Sequence, residues 1–361
     1  MEGRNRIRFA HELRGLAALC VVAAHFCGLF WHANRAVSAQ LGIGRTVPWG
    51  TDLGLGTEVT VALGQIGVGA FFVISGFVIP FAFEREGAGL FAWRRALRIY
   101  STYVAGLVAA ALAAFAAVRA MGGRVPFDGG DLVSQATILL RPIIGTRMID
   151  GVVWTLEIEL LFYLSMLVLG GAVLRRGAWV LFALCLALAA GAAALAAADV
   201  NWFVSVRVLS GLLIVVGIGL FRVHRGTMSV PLFGLLVSFA IGSIAVGFDL
   251  LDGPRRILGS WALGYALGAV LVLLAARYWD RLPPSRVARH FADISYPLYA
   301  SHSLPGYAVL AWMTREGFSP VAAITTAFAV AYLLALAIHH AVERPCLALA
   351  RHGLAKRAAT A

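Results

Sequence analysis

Runs of apolar residues about as long as a bilayer-crossing helix recur along this chain, and they constrain its fold more than any other feature. They lie at roughly 13–31, 59–83, 98–118, 152–174, 178–197, 203–221, 229–248, 257–277, 294–313 and 319–341. None alternates polar and apolar residues with period two, so a transmembrane β-barrel is excluded. In lipid each backbone N–H must be satisfied inside its own element, which leaves helices. The chain is 60% hydrophobic and 13% charged, against about 25% charged residues in an ordinary soluble domain. The expected fold class is an all-α integral membrane protein with about ten transmembrane helices. A further stretch, 132–146, is apolar in places but holds Gln135, Arg141 and Pro142. It reads as a re-entrant or interfacial helix.

The net charge is +12. In a soluble protein that would point to nucleic acid, but here the basic residues sit mainly in loops, so no nucleic-acid partner is expected. Of the 30 Lys and Arg residues, about nineteen fall in loops on the side of the N-terminus and about nine on the other side. Both termini are therefore expected in the cytoplasm, in a multi-pass protein of the cell (inner) membrane. Counting 132–146 as a full span would carry the basic loop 277–293 outside, against the same rule. Met1 to Arg8 is basic, but no small-residue cleavage site follows the first apolar run, so no cleaved signal is expected. Residues 1–346 are expected to form a single transmembrane domain, with 347–361 a short basic cytoplasmic tail. Cys20, Cys27, Cys185 and Cys346 form no CxxC pair and read as free thiols. The outer loops 32–58 and 119–151 carry Trp49, Asp52, Asp128, Asp131 and Asp150. They are either lids on the acceptor side or plain connectors.

Candidate chemistry begins in the first apolar run, RGLAALCVVAAH. Arg14 and His25 are eleven residues apart, which on a helix returns to nearly the same face, roughly 16 Å further along. An ionisable group inside a membrane costs at least a few kcal/mol unless it is paired or lines a cavity, which makes His25 a functional candidate. The alternative is a snorkelling Arg and a His bonded to a neighbouring helix. In GVGAFFVISGFVIPF, Gly67, Gly69 and Gly76 permit close approach of a helix or a ligand, and Ser75 is either a nucleophile or a packing residue. In WRRALRIY, Arg95 and Arg98 share a face at the cytoplasmic end of a span, which suits phosphate groups or lipid headgroups. In WTLEIELLFYL, Glu157 and Glu159 cannot share a face, whereas Thr155, Glu159 and Tyr163 form a polar stripe. Depth counting brings Glu159 near the level of His25, so the two can pair; otherwise Glu159 pairs with an Arg. In ADISYPLYASHSLP, Tyr299 and His302 are adjacent on one face of a polar-loaded helix that also holds Ser295 and Tyr296. Near the end, Pro345 is expected to stop a helix, with Glu343 and Arg344 forming a structural salt bridge. His339 and His340 point about 100° apart, and no metal-ligand spacing is found, so no metal is expected.

Taken in order, these stretches resemble the acyltransferase-3 family of integral membrane acyltransferases. The carriers are Arg14 with His25, GVGAFFVISGFVI, the Arg95–Arg98 pair, WTLEIELLFY, SYPLYASH and ERP, over about residues 8–346. The resemblance implies transfer of acyl groups, usually acetyl from acetyl-CoA, to hydroxyls of surface glycans and related acceptors. It ties Arg14, His25, Arg95, Arg98 and Glu159 to activity. The sequence departs from the family at His11, where Asp is common, at Ser101, where Pro is usual, and at Thr155, where Ser is typical.

Two function classes follow. In the first, acyl-CoA is a co-substrate and no cofactor is permanently bound. Its phosphates lie on Arg95, Arg98 and Arg14. His25 is general base or acyl carrier, and Glu159 is its partner. Ser75, Tyr163, Tyr299 and His302 stand behind them, toward a carbohydrate or glycosylated small-molecule acceptor, with membrane lipids around the bundle. The second is a polytopic transporter or flippase, in which buried ionisable residues serve proton coupling.

Overall fold

The protein is described by a computed structural model over residues 8–47, 53, 55–139, 141, 144–252 and 257–349. Trp49, Asp52, Pro142 and the tail beyond Leu349 lie outside the described residues. Among the described residues there is no strand, and nine helices are long and apolar enough to cross a membrane. They are α1 (Arg8–His32), α3 (Thr57–Glu86), α4 (Ala88–Met121), α6 (Val153–Arg175), α7 (Trp179–Ala197), α8 (Trp202–His224), α9 (Val230–Asp252), α10 (Leu258–Tyr278) and α14 (Pro320–Leu349). Shorter helices are α2 (Asn34–Leu41), α5 (Gly129–Ala136), α11 (Arg286–Asp293), α12 (Ser295–Ser301) and α13 (Ser303–Arg315). The chain is an all-α integral membrane protein. Its outer side chains agree: Leu186, Val246 and Leu250 on α7 and α9 are more than half exposed, as suits faces turned to lipid.

The described residues fall into two compact units. The first holds the start of α1 (to Val21), Val61–Ala88 and Ile158–Ala292. Within it, α3 meets its neighbours through small residues. Gly76 lies against the Ile214 carbonyl and Gly217 of α8, and Gly217 in turn lies against the Val73 carbonyl. Gly264 and Gly268 of α10 lie against the Ala62 and Ile66 carbonyls of α3, and Gly67 against the Ala17 carbonyl of α1. A Cβ at any of these points would push two backbones apart. Van der Waals packing is the main force joining helices in lipid, so the small residues set the crossings. The glycines of the Gly67–Phe81 stretch therefore admit helices.

The second unit holds Val22–Thr60, Gly89–Glu157 and the residues from Asp293 on. In it α4 accepts α12 at Gly106, which lies against the Ala300 carbonyl, and α14 packs on α12, α13 and the end of α1. Local chemistry fixes the ends. Asp128 and Asp131 form a reciprocal capping box that opens α5. Ser319 caps α14, with Pro320 in its first turn.

Two details differ from the sequence expectation, at 294–313 and at Pro345. Of the 132–146 stretch, residues 132–136 lie in the two-turn helix α5, about 12 Å long, which closes before Ile138, where φ is 59°. Its end is tied to α4 by hydrogen bonds from Tyr103 to the Gln135 carbonyl and from Tyr100 to the Thr137 carbonyl. The expected span 294–313 is broken at His302 into α12 and α13. Pro305 has no N–H to offer the carbonyl of Ser301, and its ring crowds that carbonyl. Lastly, Pro345 does not end α14. A π-turn over His339–Glu343 absorbs the missing hydrogen bond, and the helix continues to Leu349. Glu343 pairs there with His339 at 2.6 Å rather than with Arg344.

Candidate active site

The site in the second unit is built where two helices lose their regularity. In α1 the α-helical register ends at Ala24, and His25–Leu29 form a π-turn in which the Phe30 N–H reaches the His25 carbonyl. The wider turn alters the backbone pairing around Phe26, whose carbonyl accepts the Trp31 indole N–H at 2.7 Å. Gly28 is required here because a side chain would strike Thr60. The second irregular point is the α12–α13 break, where His302 sits between the two helices with no exposure to solvent.

These two points bring the two imidazoles together. The His25 and His302 ring centroids are 4.8 Å apart, with the planes at 60°. His25 Nδ1 lies 2.8 Å from the Tyr307 hydroxyl, and those two rings are parallel within 3°. His302 Nδ1 lies 3.1 Å from the Leu298 carbonyl and 3.0 Å from the Tyr299 carbonyl. Phe26 closes one side, its centroid 6.0 Å from His302 and 6.4 Å from Tyr307. Gly306 leaves room for that ring, since a Cβ there would overlap Phe26.

Both sides of the break are anchored to the segment that leads into α6. Before the break, the Tyr299 hydroxyl lies 2.6 Å from Thr155 Oγ1, which itself donates to the Val152 carbonyl, so the phenol is the donor to Thr155. After it, Ser303 donates to Asp150 Oδ1 at 2.5 Å, and the Val152 N–H bonds the same oxygen at 3.1 Å. Burial pushes the Asp150 carboxyl above the usual carboxylate range, against the opposite pull of these two hydrogen bonds. Nearby, Arg141 donates from Nε at 2.7 Å, and also from Nη2, to Glu157 Oε1 in a buried ion pair.

Arg95 and Arg98 lie one turn apart on α4 and are half-buried, Arg95 with its guanidinium 5.7 Å from the Phe91 ring centroid. The carbonyl of Ile99, the next residue, accepts the Tyr296 hydroxyl at 3.1 Å. Tyr296 precedes His302 on the same rod by about 9 Å of helix rise. The Arg pair and the imidazoles thus belong to one unit and share the α12 support.

The remaining residues singled out from sequence lie in the first unit. Glu159 Oε1 accepts from Tyr163 one turn along α6, and from Ser75 of α3 at 3.4 Å. The hydrogen-bond partner of His25 Nδ1 is Tyr307, which the sequence reading passed over. The carboxylate of α6 that pairs with an Arg is Glu157. Arg14 is half-buried, three turns before His25 on α1. Where the family favours an acid, His11 is exposed, and the adjacent Glu12 is a buried carboxylate that accepts the Trp279 indole N–H at 2.8 Å.

A half-buried imidazole against a fully buried one in a helical membrane bundle suits proton transfer to or from a hydroxyl, with aromatic walls to exclude water. A family model for an acyltransferase domain, Acyl_transf_3, matches residues 12–340, nearly the whole chain. The chain belongs to the acyltransferase-3 family. This acyltransferase-3 protein matches no curated protein and no solved structure. Membership makes it a membrane acyltransferase. Ser303 and Tyr307 carried one sequence signal: the polar run SHSLPGY continues past Pro305, where a broken helix would extend the site, whereas Asp150 stood out only as an acid of the outer loop 119–151.

Proposed function

We propose that the protein moves an acyl group, acetyl in the family's usual reaction, from acyl-CoA to a hydroxyl of a glycan or of a glycosylated or lipid-linked acceptor. The observation that carries this reading is the contact between His25 and His302 inside a chain of this family. Thioester and hydroxyl meet at His25, whose ring is partly accessible, while His302 is sealed behind it. The CoA phosphates bind at the cytoplasmic face on Arg95 and Arg98, because a guanidinium pair binds phosphate in a fork geometry. The thin pantetheine arm then runs beside α12 toward the imidazoles. The phenol of Tyr307 holds the His25 ring in one orientation. Both termini lie in the cytoplasm of a cell whose inner membrane holds the protein, as the basic loops imply.

The test is thiol release from acetyl-CoA by the purified protein in lipid vesicles, with a cell-envelope glycan extract as acceptor. His25→Ala is expected to remove release while the protein remains folded and inserted. Arg95→Ala and Arg98→Ala are each expected to raise KM for acetyl-CoA about tenfold with little change in kcat, the size of one lost charge-assisted contact. Full thiol release by His25→Ala would remove His25 from the site, and absence of acceptor-dependent release by the parent would overturn the reading.

A further inference from the structure

The neighbours of the two imidazoles fix where their protons sit. His302 Nδ1 is within hydrogen-bond distance of two carbonyl oxygens, at 3.1 and 3.0 Å. A carbonyl can only accept, so Nδ1 carries the proton. In the neutral ring Nε2 is then a bare lone pair, and it is buried with no hydrogen-bond partner among the described residues. Folded proteins leave few buried polar atoms unpaired, and each has a reason. His25 is the opposite case. Tyr307 is fully buried and its hydroxyl meets His25 Nδ1 at 2.8 Å. A buried phenol proton needs an acceptor, so Tyr307 donates, Nδ1 is the acceptor, and the ring proton of His25 is on Nε2. The touching rings therefore offer an N–H from His25 and a lone pair from His302.

We propose that His302 Nε2 is the general base for the acceptor hydroxyl, and that His25 Nε2–H holds the thioester carbonyl oxygen. This division of roles rests on the acyl-transfer reading above. The hydroxyl O–H bond breaks and its proton goes to His302 Nε2. The oxygen forms the new C–O bond at the thioester carbon, and the carbonyl π pair moves onto the oxygen held by His25. Collapse breaks the C–S bond, and the departing thiolate takes the proton from His302. One ester and one thiol form from one thioester and one alcohol, and both rings return to their starting protonation. The transient imidazolium of His302 is held by the Leu298 and Tyr299 carbonyls at the C-terminal end of α12, where partial charge is negative. His302 lies sealed among the rings of His25, Phe26 and Tyr299. The hydroxyl reaches Nε2 only when those rings part, which keeps water from the base between turnovers.

The experiment measures thiol release from acetyl-CoA with the envelope glycan extract for His302→Gln, His302→Gly, His25→Gln, His25→Ala and Tyr307→Phe. Loss of a general base is expected to lower kcat about 100-fold or more in His302→Gln, with KM for acetyl-CoA unchanged within about threefold. Added imidazole is expected to restore His302→Gly, with substituted imidazoles ranking by basicity, a response that a packing role would not give. His25→Gln keeps an N–H and is expected to exceed His25→Ala at least tenfold. Tyr307→Phe, which removes only an oxygen, is expected to lower kcat about tenfold and covers the case of a misfolded His302 variant. Activity of His302→Gln near the parent level with His25→Ala inactive would overturn the assignment and leave acyl transfer standing. So would an unchanged kcat in Tyr307→Phe. Full release by both His25→Ala and His302→Gln would also overturn the assignment, whereas absence of acceptor-dependent release by the parent would instead overturn the acyl-transfer reading itself.

Discussion

Replacing Arg141 by Met takes two N–H donors, Nε and Nη2, from Glu157 Oε1 and leaves the carboxylate with neither. The side chains are only 8% and 3% exposed, so little water is at hand to replace the lost bonds. Breaking a buried pair from one side costs about 3–5 kcal/mol, because one charge stays behind without its counter-charge. Arg141→Met and Glu157→Leu are each expected to destabilise the protein by that amount. The double variant Arg141→Met/Glu157→Leu removes both charges together and is expected to lie within about 2 kcal/mol of the parent, since desolvation of the pair offsets most of its attraction. The assay is reversible unfolding in mixed detergent, followed by Trp fluorescence for the parent, both single variants and the double variant. A double variant as unstable as the sum of the singles would refute the reasoning, because the two residues would then act independently.

Gly28→Val is expected to destabilise the π-turn through its clash with Thr60 by about 1–3 kcal/mol; Thr60→Ala in the same chain should recover part of it, read in the same unfolding assay. For Asp150, whose carboxyl is held above its ordinary range by burial, the sign follows directly. Its contribution is fully present below the unfolded value of about 4 and is lost as pH rises through the raised folded value. Asp150→Asn should therefore flatten the fall of the melting temperature with rising pH above about 4, and an unchanged slope would refute it. Pro305→Ala restores an N–H opposite the Ser301 carbonyl and is expected to raise stability by up to about 3 kcal/mol while lowering acyl transfer at least tenfold, checked by unfolding and thiol release together.

Much of the fold could be read from the sequence because lipid leaves few choices. A span such as 178–197 has nothing but Ala, Leu and similar residues to say, and α7 starts and ends within a residue of it. The site was legible residue by residue rather than as a constellation. His25 and His302 stood out because imidazoles are costly in apolar helices. Their contact could not be read, because it joins His25 of α1 to a break 277 residues later and depends on helix irregularity. A uniform 100° per residue cannot show a π-turn at His25–Leu29, where no Pro or cluster of Gly marks the sequence. Pro305 did mark the other break, but a Pro in a membrane helix is tolerated often enough that a continuous 294–313 span was the simpler expectation. Glu157 and Glu159 show the same limit. Periodicity separates their faces, but only the packed fold assigns Arg141 to the first and Tyr163 with Ser75 to the second.

The irregular points also argue for where function lies. Among the described residues, three interruptions occur in otherwise long apolar helices: the π-turns at His25–Leu29 and His339–Glu343, and the break at His302. Two have a covalent cause, since Pro345 and Pro305 each lack an N–H. The π-turn at His25 has none, and it is held instead by a local bond from the Trp31 indole to the Phe26 carbonyl and by two tertiary contacts, Gly28 against Thr60 and Tyr307 on the His25 ring. A helix that departs from its best geometry without a Pro persists only where its surroundings fix it, and such places cluster at sites of chemistry. Here the departure begins at His25 itself and faces a second histidine whose helix is also broken, and whose Nε2 is buried without a partner. A packing role alone would have been met by an apolar side chain on two regular helices. In the roles proposed above, acyl transfer uses a lone pair and an N–H side by side, and the two interruptions are what set those two rings against each other.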